Sequence, residues 1–248
     1  MLFRRLIFAA VAVGLVVGAL LGLGEQFTTA PLIAQAEHYE HAGHRDAGHI
    51  QAGHDQDAWA PSDGAQRALF TIAADSGVAI GFALLLMVAM GAAAAARGAS
   101  LGAGYGALWG AAGFTAVFGA PALGLSPEVP GTAAAALADR QFWWIATVLV
   151  VSLALAIIAF APRLKKLAAL VLLPLPYLYG APQPAGSPYA DHNPAAAAAL
   201  EQIHQQFIWA SAVTNLVFWL VLGVACGWAA QRWLVPVVTA PRAAHVPG

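Results

Sequence analysis

Long apolar segments most constrain what this chain of 248 residues folds into. Hydrophobic residues make up 60% of the sequence, and Asp, Glu, Lys and Arg together only 9%. An average soluble domain carries about a quarter charged residues. So few charges cannot coat the surface of a water-soluble globule of this size. The sequence therefore predicts an all-α integral membrane protein, whose constant partner is the lipid bilayer.

A helix that crosses the bilayer needs about 20 mostly apolar residues. One weaker segment, 167–179, is interrupted by Pro174 and Pro176, and at 1.5 Å per residue it reaches only about 20 Å. It is either a broken crossing or a re-entrant segment, so the number of crossings is six or five. The five strong candidates are residues 6–23, 69–96, 100–123, 142–161 and 207–230.

The distribution of basic residues indicates which side each loop occupies, because cytoplasmic loops are enriched in Lys and Arg. We expect six crossings with both termini in the cytoplasm, which leaves the polar segment 25–67 outside. The cytoplasmic side then receives Arg4, Arg5, Arg97, Arg163, Lys165, Lys166, Arg232 and Arg242, and the outer side receives Arg45, Arg67 and Arg140.

Histidines and acids crowd that outer segment, in what we call the histidine tract (residues 38–54). Neutral imidazole and carboxylate are ligands for Co²⁺, Ni²⁺, Zn²⁺ and Cu²⁺. Glu37, Glu40, His41 and His44, spaced i, i+3, i+4 and i+7, would share one face of a helix. Ala-Gly-His occurs three times, ending at His44, His49 and His54. The alternative is a solvated loop without function. We predict a loose metal collector formed by Glu37, His38, Glu40, His41, His44, His49 and His54.

Three polar residues are candidates for an ion path through or beside the helices. Asp75 lies about six residues into the second predicted crossing, and an acid inside a crossing is a functional hypothesis by default. Alternatively, Asp75 is an acid near the level of the lipid headgroups, without a part in an ion path. Glu128, between Pro127 and Pro130, is either a second binding position for the ion or an ordinary acidic residue of the loop. Asn215 is the weakest candidate, because such residues more often make interhelical hydrogen bonds.

Several classes of function are excluded or disfavoured by what the sequence lacks. The net charge of −1 offers no basic field for nucleic acid. A single cysteine, Cys226, excludes an intramolecular disulfide and a Cys-ligated iron–sulfur cluster. No phosphate-binding loop or hydrolase motif occurs. We therefore predict that the chain is not an enzyme and holds no permanently bound cofactor.

Three motifs resemble the CbtA family of probable cobalt transporter subunits. They are Pro31–Glu40 (PLIAQAEHYE), Gly124–Gly131 (GLSPEVPG) and Ala138–Trp144 (ADRQFWW). The departures from the family pattern are Val129 for the usual leucine and the long histidine tract. The matched positions, whose roles the match does not assign, are Glu37, Glu40, Glu128, Pro130, Gly131, Asp139, Arg140 and Trp143.

The resemblance implies a multi-pass protein of the bacterial inner membrane that imports cobalt for cobalamin synthesis. It also implies pairing with CbtB, a small one-span subunit with a histidine-rich end. We accordingly expect a divalent-cation importer, with Co²⁺ as the favoured ion and Ni²⁺ or Zn²⁺ as the others. The alternatives are a membrane-anchored metal-binding or sensing subunit that moves nothing, and a nickel transporter.

Overall fold

The computed structural model describes residues 2–46 and 61–234, including the side chains of residues 3–40 and 61–233. Within these ranges the chain is helical and forms no strand. The helices are α1 (Leu2–Glu25), α2 (Ala30–Asp46), α3 (Ala65–Arg97), α4 (Ala103–Phe114), α5 (Ala120–Gly124), α6 (Leu137–Phe160), α7 (Leu167–Leu172), α8 (Leu175–Tyr179) and α9 (Pro194–Ala229). A π-helical turn, Thr115–Gly119, joins α4 to α5, and a 3₁₀ turn, Arg163–Lys166, precedes α7.

Five helical segments in the described part of the chain are long and apolar enough to cross a membrane. They contain the five strong candidates of the sequence almost entirely, which confirms the all-α membrane class. Their bounds are Phe3–Glu25, Ala65–Arg97, Ala103–Gly124, Leu137–Phe160 and Pro194–Trp233.

The last crossing helix begins earlier than the sequence predicts. Hydropathy places its start at residue 207, whereas α9 begins at Pro194. Asn193 caps it, since its Oδ1 accepts a hydrogen bond of 2.9 Å from the backbone N–H of Ala196. Proline at the first helical position and the alanine run that follows it favour a helix, even though these residues form no apolar stripe.

The doubtful segment 167–179 is divided into α7 and α8, because Pro174 and Pro176 lack the N–H groups that a continuous helix needs. It runs antiparallel to α6. Leu173 packs into a cluster with Val151. Further along the chain, the carbonyl oxygen of Pro176 accepts a hydrogen bond of 3.1 Å from the indole Nε1 of Trp143. The chain thus returns along α6 from its C-terminal half towards its N-terminal end.

The chain divides into two compact units. The first unit comprises the ranges Met1–Gly22, Leu69–Ala111 and Val217–Gly248. Glycines bring its helices together: a Cβ on Gly22 would lie 2.8 Å from Cα of Ile72, and one on Gly227 would lie 2.9 Å from Cα of Gly106. Small residues allow such close approach of helices in lipid, so α1 packs on α3 and α4 on α9.

The second unit comprises Leu23–Ala68 and Ala112–Leu216. It contains α2, which occupies part of the polar segment between the first two crossing helices. The residues from Glu37 to His44 are therefore helical, as their spacing indicates, since both lie within α2 (Ala30–Asp46). The core of this unit includes the buried residues Ala36, Val129, Leu200 and Ile203.

Candidate ion-binding site

Two of the three sequence motifs meet in the second unit, where α2 packs on what we call the proline loop (residues 125–136). Val129 in this loop is 4% exposed and packs with Ala36 of α2 and with Leu200 of α9. Gly131 has a φ of +79°. A Cβ there would lie 3.3 Å from Cβ of Glu40, so both the backbone conformation and the close approach to α2 favour glycine.

Two histidines hold the proline loop by its backbone. Nε2 of His204, on α9, lies 2.9 Å from the carbonyl oxygen of Pro127. Nε2 of His192 lies 2.7 Å from the carbonyl oxygen of Gly131. A carbonyl oxygen only accepts hydrogen bonds, so each of these ring nitrogens carries a proton and donates. The loop is thereby fixed on both sides of Glu128.

The other ring nitrogen of His204 is also engaged. Nδ1 lies 2.7 Å from the hydroxyl of Tyr189, and in a neutral imidazole protonated at Nε2 it accepts the hydroxyl proton. Burial, followed by the negative charge of Glu201, raises the pKa of Tyr189, so the hydroxyl keeps its proton. With both nitrogens bonded, His204 positions the loop and is not a free metal ligand.

Glu128 forms an ion pair with Arg140 in the first turn of α6. Oε2 of Glu128 lies 2.6 Å from Nη2 of Arg140, and the two side chains are 26% and 30% exposed. Nε of Arg140 is buried and has no hydrogen-bond partner among the described residues. The pair therefore neutralises the carboxylate while leaving one guanidinium donor unsatisfied.

A cavity of about 690 Å³ contains this ion pair. The π-helical turn contributes Val117 and Phe118 to its wall, α5 contributes Pro121, and α6 contributes Trp144 beside Arg140. π-Helical turns recur at functional sites. The wall is mostly apolar, so the charged pair stands in a medium where electrostatic interactions are stronger than in water.

Glu37, a predicted ligand, is likewise paired with an arginine. Both of its carboxylate oxygens bind Arg67 in the first turn of α3, with Oε2 at 3.0 Å from Nη1. Nη1 of Arg67 also lies 3.2 Å from Oδ1 of Asp63. These contacts tie α2 to the start of α3, so a metal ion at Glu37 competes with a guanidinium.

The remaining predicted collector residues are only partly described. His38 is exposed on α2, with its ring centroid 6.0 Å from that of Tyr39. His41 and His44 lie on α2, but their side chains are outside the described set, and His49 and His54 lie outside the described residues altogether. Among the residues that the structure describes, no three His, Cys, Asp or Glu side chains are grouped to hold a metal ion.

The two predicted path residues in the crossing helices have different surroundings. Asp75, in the first unit, has a buried Oδ2 without a hydrogen-bond partner among the described residues. It faces Gly22, where a Cβ would lie 2.9 Å from that oxygen. Asn215, in the second unit, donates a hydrogen bond of 3.1 Å to the carbonyl oxygen of Ser211 within its own helix. Asp75 is thus the more available of the two.

Sequence reasoning missed the partners that hold the acids and the proline loop. It named Arg140 only as an outer basic residue and a matched position, and it assigned no role to Tyr189, His192 or His204. The one usable signal was the rarity of charge: in a chain with 9% charged residues, a basic residue close in sequence to a half-buried acid is a natural partner.

Comparison with known proteins gives one match. No curated protein and no solved structure matches the chain. The model of the family described as "Probable cobalt transporter subunit (CbtA)" matches residues 3–231, which include α2, the proline loop and the Glu128–Arg140 pair. The chain therefore belongs to the CbtA family of probable cobalt transporter subunits.

Proposed function

We propose that this chain is the membrane subunit of a divalent-cation importer that carries Co²⁺ into the cell and catalyses no chemical reaction. The family and the five apolar helices support this function. The single observation that carries the site is Glu128, a half-buried carboxylate on a restrained backbone at the wall of a cavity of about 690 Å³. A carboxylate so placed partly replaces the water shell of an arriving cation.

The histidine tract, with Glu37 and Glu40, collects the ion and raises its local concentration. Carboxylate and imidazole ligands suit Co²⁺, and also Ni²⁺ and Zn²⁺. Asp75 and Asn215 are the polar groups of the crossing helices that guide the ion further. An inside-negative potential supplies about 2.3 kcal/mol per elementary charge per 100 mV, and a divalent ion gains about twice that.

The proposed topology has six crossings, with both termini in the cytoplasm of a bacterium and the histidine tract outside. The antiparallel course of α7 and α8 along α6 supports a sixth, broken crossing. The basic turn Arg163–Lys166 then lies on the cytoplasmic side, as the positive-inside rule favours.

The partner is a second, smaller subunit, for which a CbtB-like one-span protein with histidines is the candidate. The family description as a transporter subunit supports the existence of a partner. The imported cobalt serves cobalamin synthesis.

A second candidate function is a metal-binding or sensing subunit that moves no ion. One observation favours it: the amide of Asn215 is bonded within its own helix, which removes one polar group from a path that has few. A nickel transporter is the alternative within the importer class.

The test is uptake of radiolabelled Co²⁺ into liposomes that contain only this chain, with and without an inside-negative potential. Uptake that follows the potential is expected, and Glu128→Gln reduces it. Asp191→Asn, which removes an exposed acid, is the matched control and leaves uptake unchanged. Binding without uptake, even after a small CbtB-like subunit is added, would support the sensing function instead.

A further inference from the structure

The ion pair at Glu128 joins a carboxylate on a fixed backbone to a cation on a longer side chain. The backbone of Glu128 is held by the carbonyl contacts of His204 and His192 and by the buried Val129. Proline on one side, at Pro127, further stiffens the loop. Arg140 instead reaches the pair through a long side chain with several rotatable bonds. When the pair opens, the guanidinium can therefore swing further from its position than the carboxylate can.

The paired position does not satisfy the guanidinium. Nη2 of Arg140 binds Glu128 at 2.6 Å, yet Nε is buried without a hydrogen-bond partner among the described residues. A buried donor left unsatisfied is costly. The adjoining cavity of about 690 Å³ gives the side chain room for another rotamer, so both the driving force and the space for displacement are present.

We propose that Arg140 is a displaceable counter-cation, which occupies Glu128 until a divalent metal ion replaces it. This inference rests on the proposed function in taking a divalent cation as the ligand. In the resting state Arg140 neutralises the carboxylate. An arriving M²⁺ binds the freed oxygens, and the guanidinium swings into the cavity.

The exchange discriminates between cations by charge. A monovalent ion that displaces the guanidinium replaces one positive charge by another and gains little Coulomb energy. A divalent ion brings twice the charge to the same carboxylate and gains from the exchange. Arg140 is thus a specificity-determining residue. Every cation must bind Glu128 strongly enough to displace the guanidinium, and monovalent ions do not.

The decisive variant is Arg140→Gln, which removes the charge and keeps an N–H donor. The assay is Co²⁺ uptake into liposomes that contain the full chain, measured over a range of Co²⁺ and Na⁺ concentrations. We expect the half-saturating Co²⁺ concentration to fall by about twofold to fivefold, the value of a partly exposed ion pair. Sodium should inhibit the variant at concentrations that leave the unmodified chain unaffected.

Three further variants control for trivial effects. Arg140→Lys keeps the positive charge and should keep the exclusion of sodium. Arg163→Gln removes an exposed charge elsewhere and should change neither value. The double variant Glu128→Gln/Arg140→Gln should show no change beyond that of Glu128→Gln alone, because no carboxylate is left to be freed.

A binding measurement separates failure of this inference from failure of the proposed transport. Trp144 lines the same cavity, so the part of Co²⁺-dependent fluorescence quenching that Trp144→Phe removes reports occupancy there in the detergent-solubilised chain. If liposomes show no uptake but this quenching occurs at lower Co²⁺ in Arg140→Gln, transport is wrong and the counter-cation role stands.

Two results would overturn the proposal. One is an Arg140→Gln chain that is folded and inserted but whose half-saturating concentration and quenching midpoint are unchanged or raised. The other is an effect of Arg140→Gln that persists in full when Glu128 is already Gln. If Arg140→Gln is not recovered as folded protein, Arg140→Met is measured instead, because it also removes the buried unsatisfied donor.

Discussion

Nε2 of His204 lies 2.9 Å from the carbonyl oxygen of Pro127, a residue 77 positions earlier in the chain. Through this bond a side chain of α9 fixes the residue that precedes Glu128. His204 is only 8% exposed, so the bond is protected from competition by water. A histidine to which the sequence assigns no role therefore positions the backbone beside an acid.

The first prediction concerns this bond. His204→Ala should lower the free energy of unfolding by about 1–3 kcal/mol, because the carbonyl of Pro127 and the hydroxyl of Tyr189 both lose their partner. It should also raise the half-saturating Co²⁺ concentration for uptake. Thermal unfolding in detergent and liposome uptake measure the two effects. His38→Ala, which truncates an exposed histidine, should leave the melting temperature unchanged, and equal losses of thermal stability in both variants would contradict the assignment.

The second prediction concerns pH. Burial and the charge of Glu201 raise the pKa of Tyr189 above its ordinary value of 10.0. The folded state therefore holds the hydroxyl proton more tightly than the unfolded state does. The stability linked to this proton is fully present below pH 10 and declines as pH rises through the folded-state pKa. Melting temperatures measured from pH 8 to about 11 should fall less steeply in Tyr189→Phe; identical slopes would rule the linkage out.

The third prediction uses two glycines with similar backbone angles. Gly131 has φ +79° and Gly64 has φ +85°, so alanine strains either position, by about 1–2 kcal/mol. At Gly131 the new Cβ would also approach α2, at 3.3 Å from Cβ of Glu40, whereas at Gly64 it would have no described atom within 4 Å. Gly131→Ala should therefore lower the melting temperature more than Gly64→Ala does. The reverse order would mean that the proline loop does not pack on α2 as described.

The fourth prediction concerns the histidine tract, whose residues 47–54 lie outside the described ranges. Deleting residues 47–60 removes His49 and His54 and leaves the Glu37–Arg67 pair in place. If the tract is a collector, uptake should slow at low Co²⁺ and recover at high Co²⁺. Radiotracer uptake over a wide concentration range measures this. Loss of uptake at every Co²⁺ concentration would contradict the role of a collector, which only raises the local ion concentration.

The fifth prediction concerns Asp75, whose buried Oδ2 has no hydrogen-bond partner among the described residues. Asp75→Asn keeps the size of the side chain but removes the charge that attracts a cation inside a crossing helix. We expect the maximal uptake rate to fall while the half-saturating concentration, which Glu128 sets, changes little. Unchanged uptake by the inserted variant would exclude Asp75 from the ion path.

Hydropathy predicted the class of the protein and the positions of the crossing helices, because lipid imposes one simple requirement on length and polarity. It did not predict the start of α9, where an alanine run and a capping Asn193 make a helix without an apolar stripe. For residues 167–179 it correctly marked the interruption at Pro174 and Pro176 but not the course of the chain, which depends on contacts with α6.

The site was harder to predict than the helices. Both histidine contacts to the proline loop join residues far apart in sequence, 77 and 61 positions. No periodic pattern connects such partners, and only the three-dimensional packing of α2 and α9 on the loop brings them together. Spacing within one element, as from Glu37 to His44, is readable from the sequence; pairing between elements is not.

The broken course of α7 and α8 has a consequence for how the chain is inserted during synthesis. Neither helix is long enough to partition into the bilayer alone, since a stable crossing needs about 20 residues. They depend on a surface that α6 already presents, with Val151 and Trp143 as the points of attachment. We expect α6 to act as a template for their insertion, so that substitutions on this face of α6 change the topology adopted at the translocon as well as the stability of the finished protein.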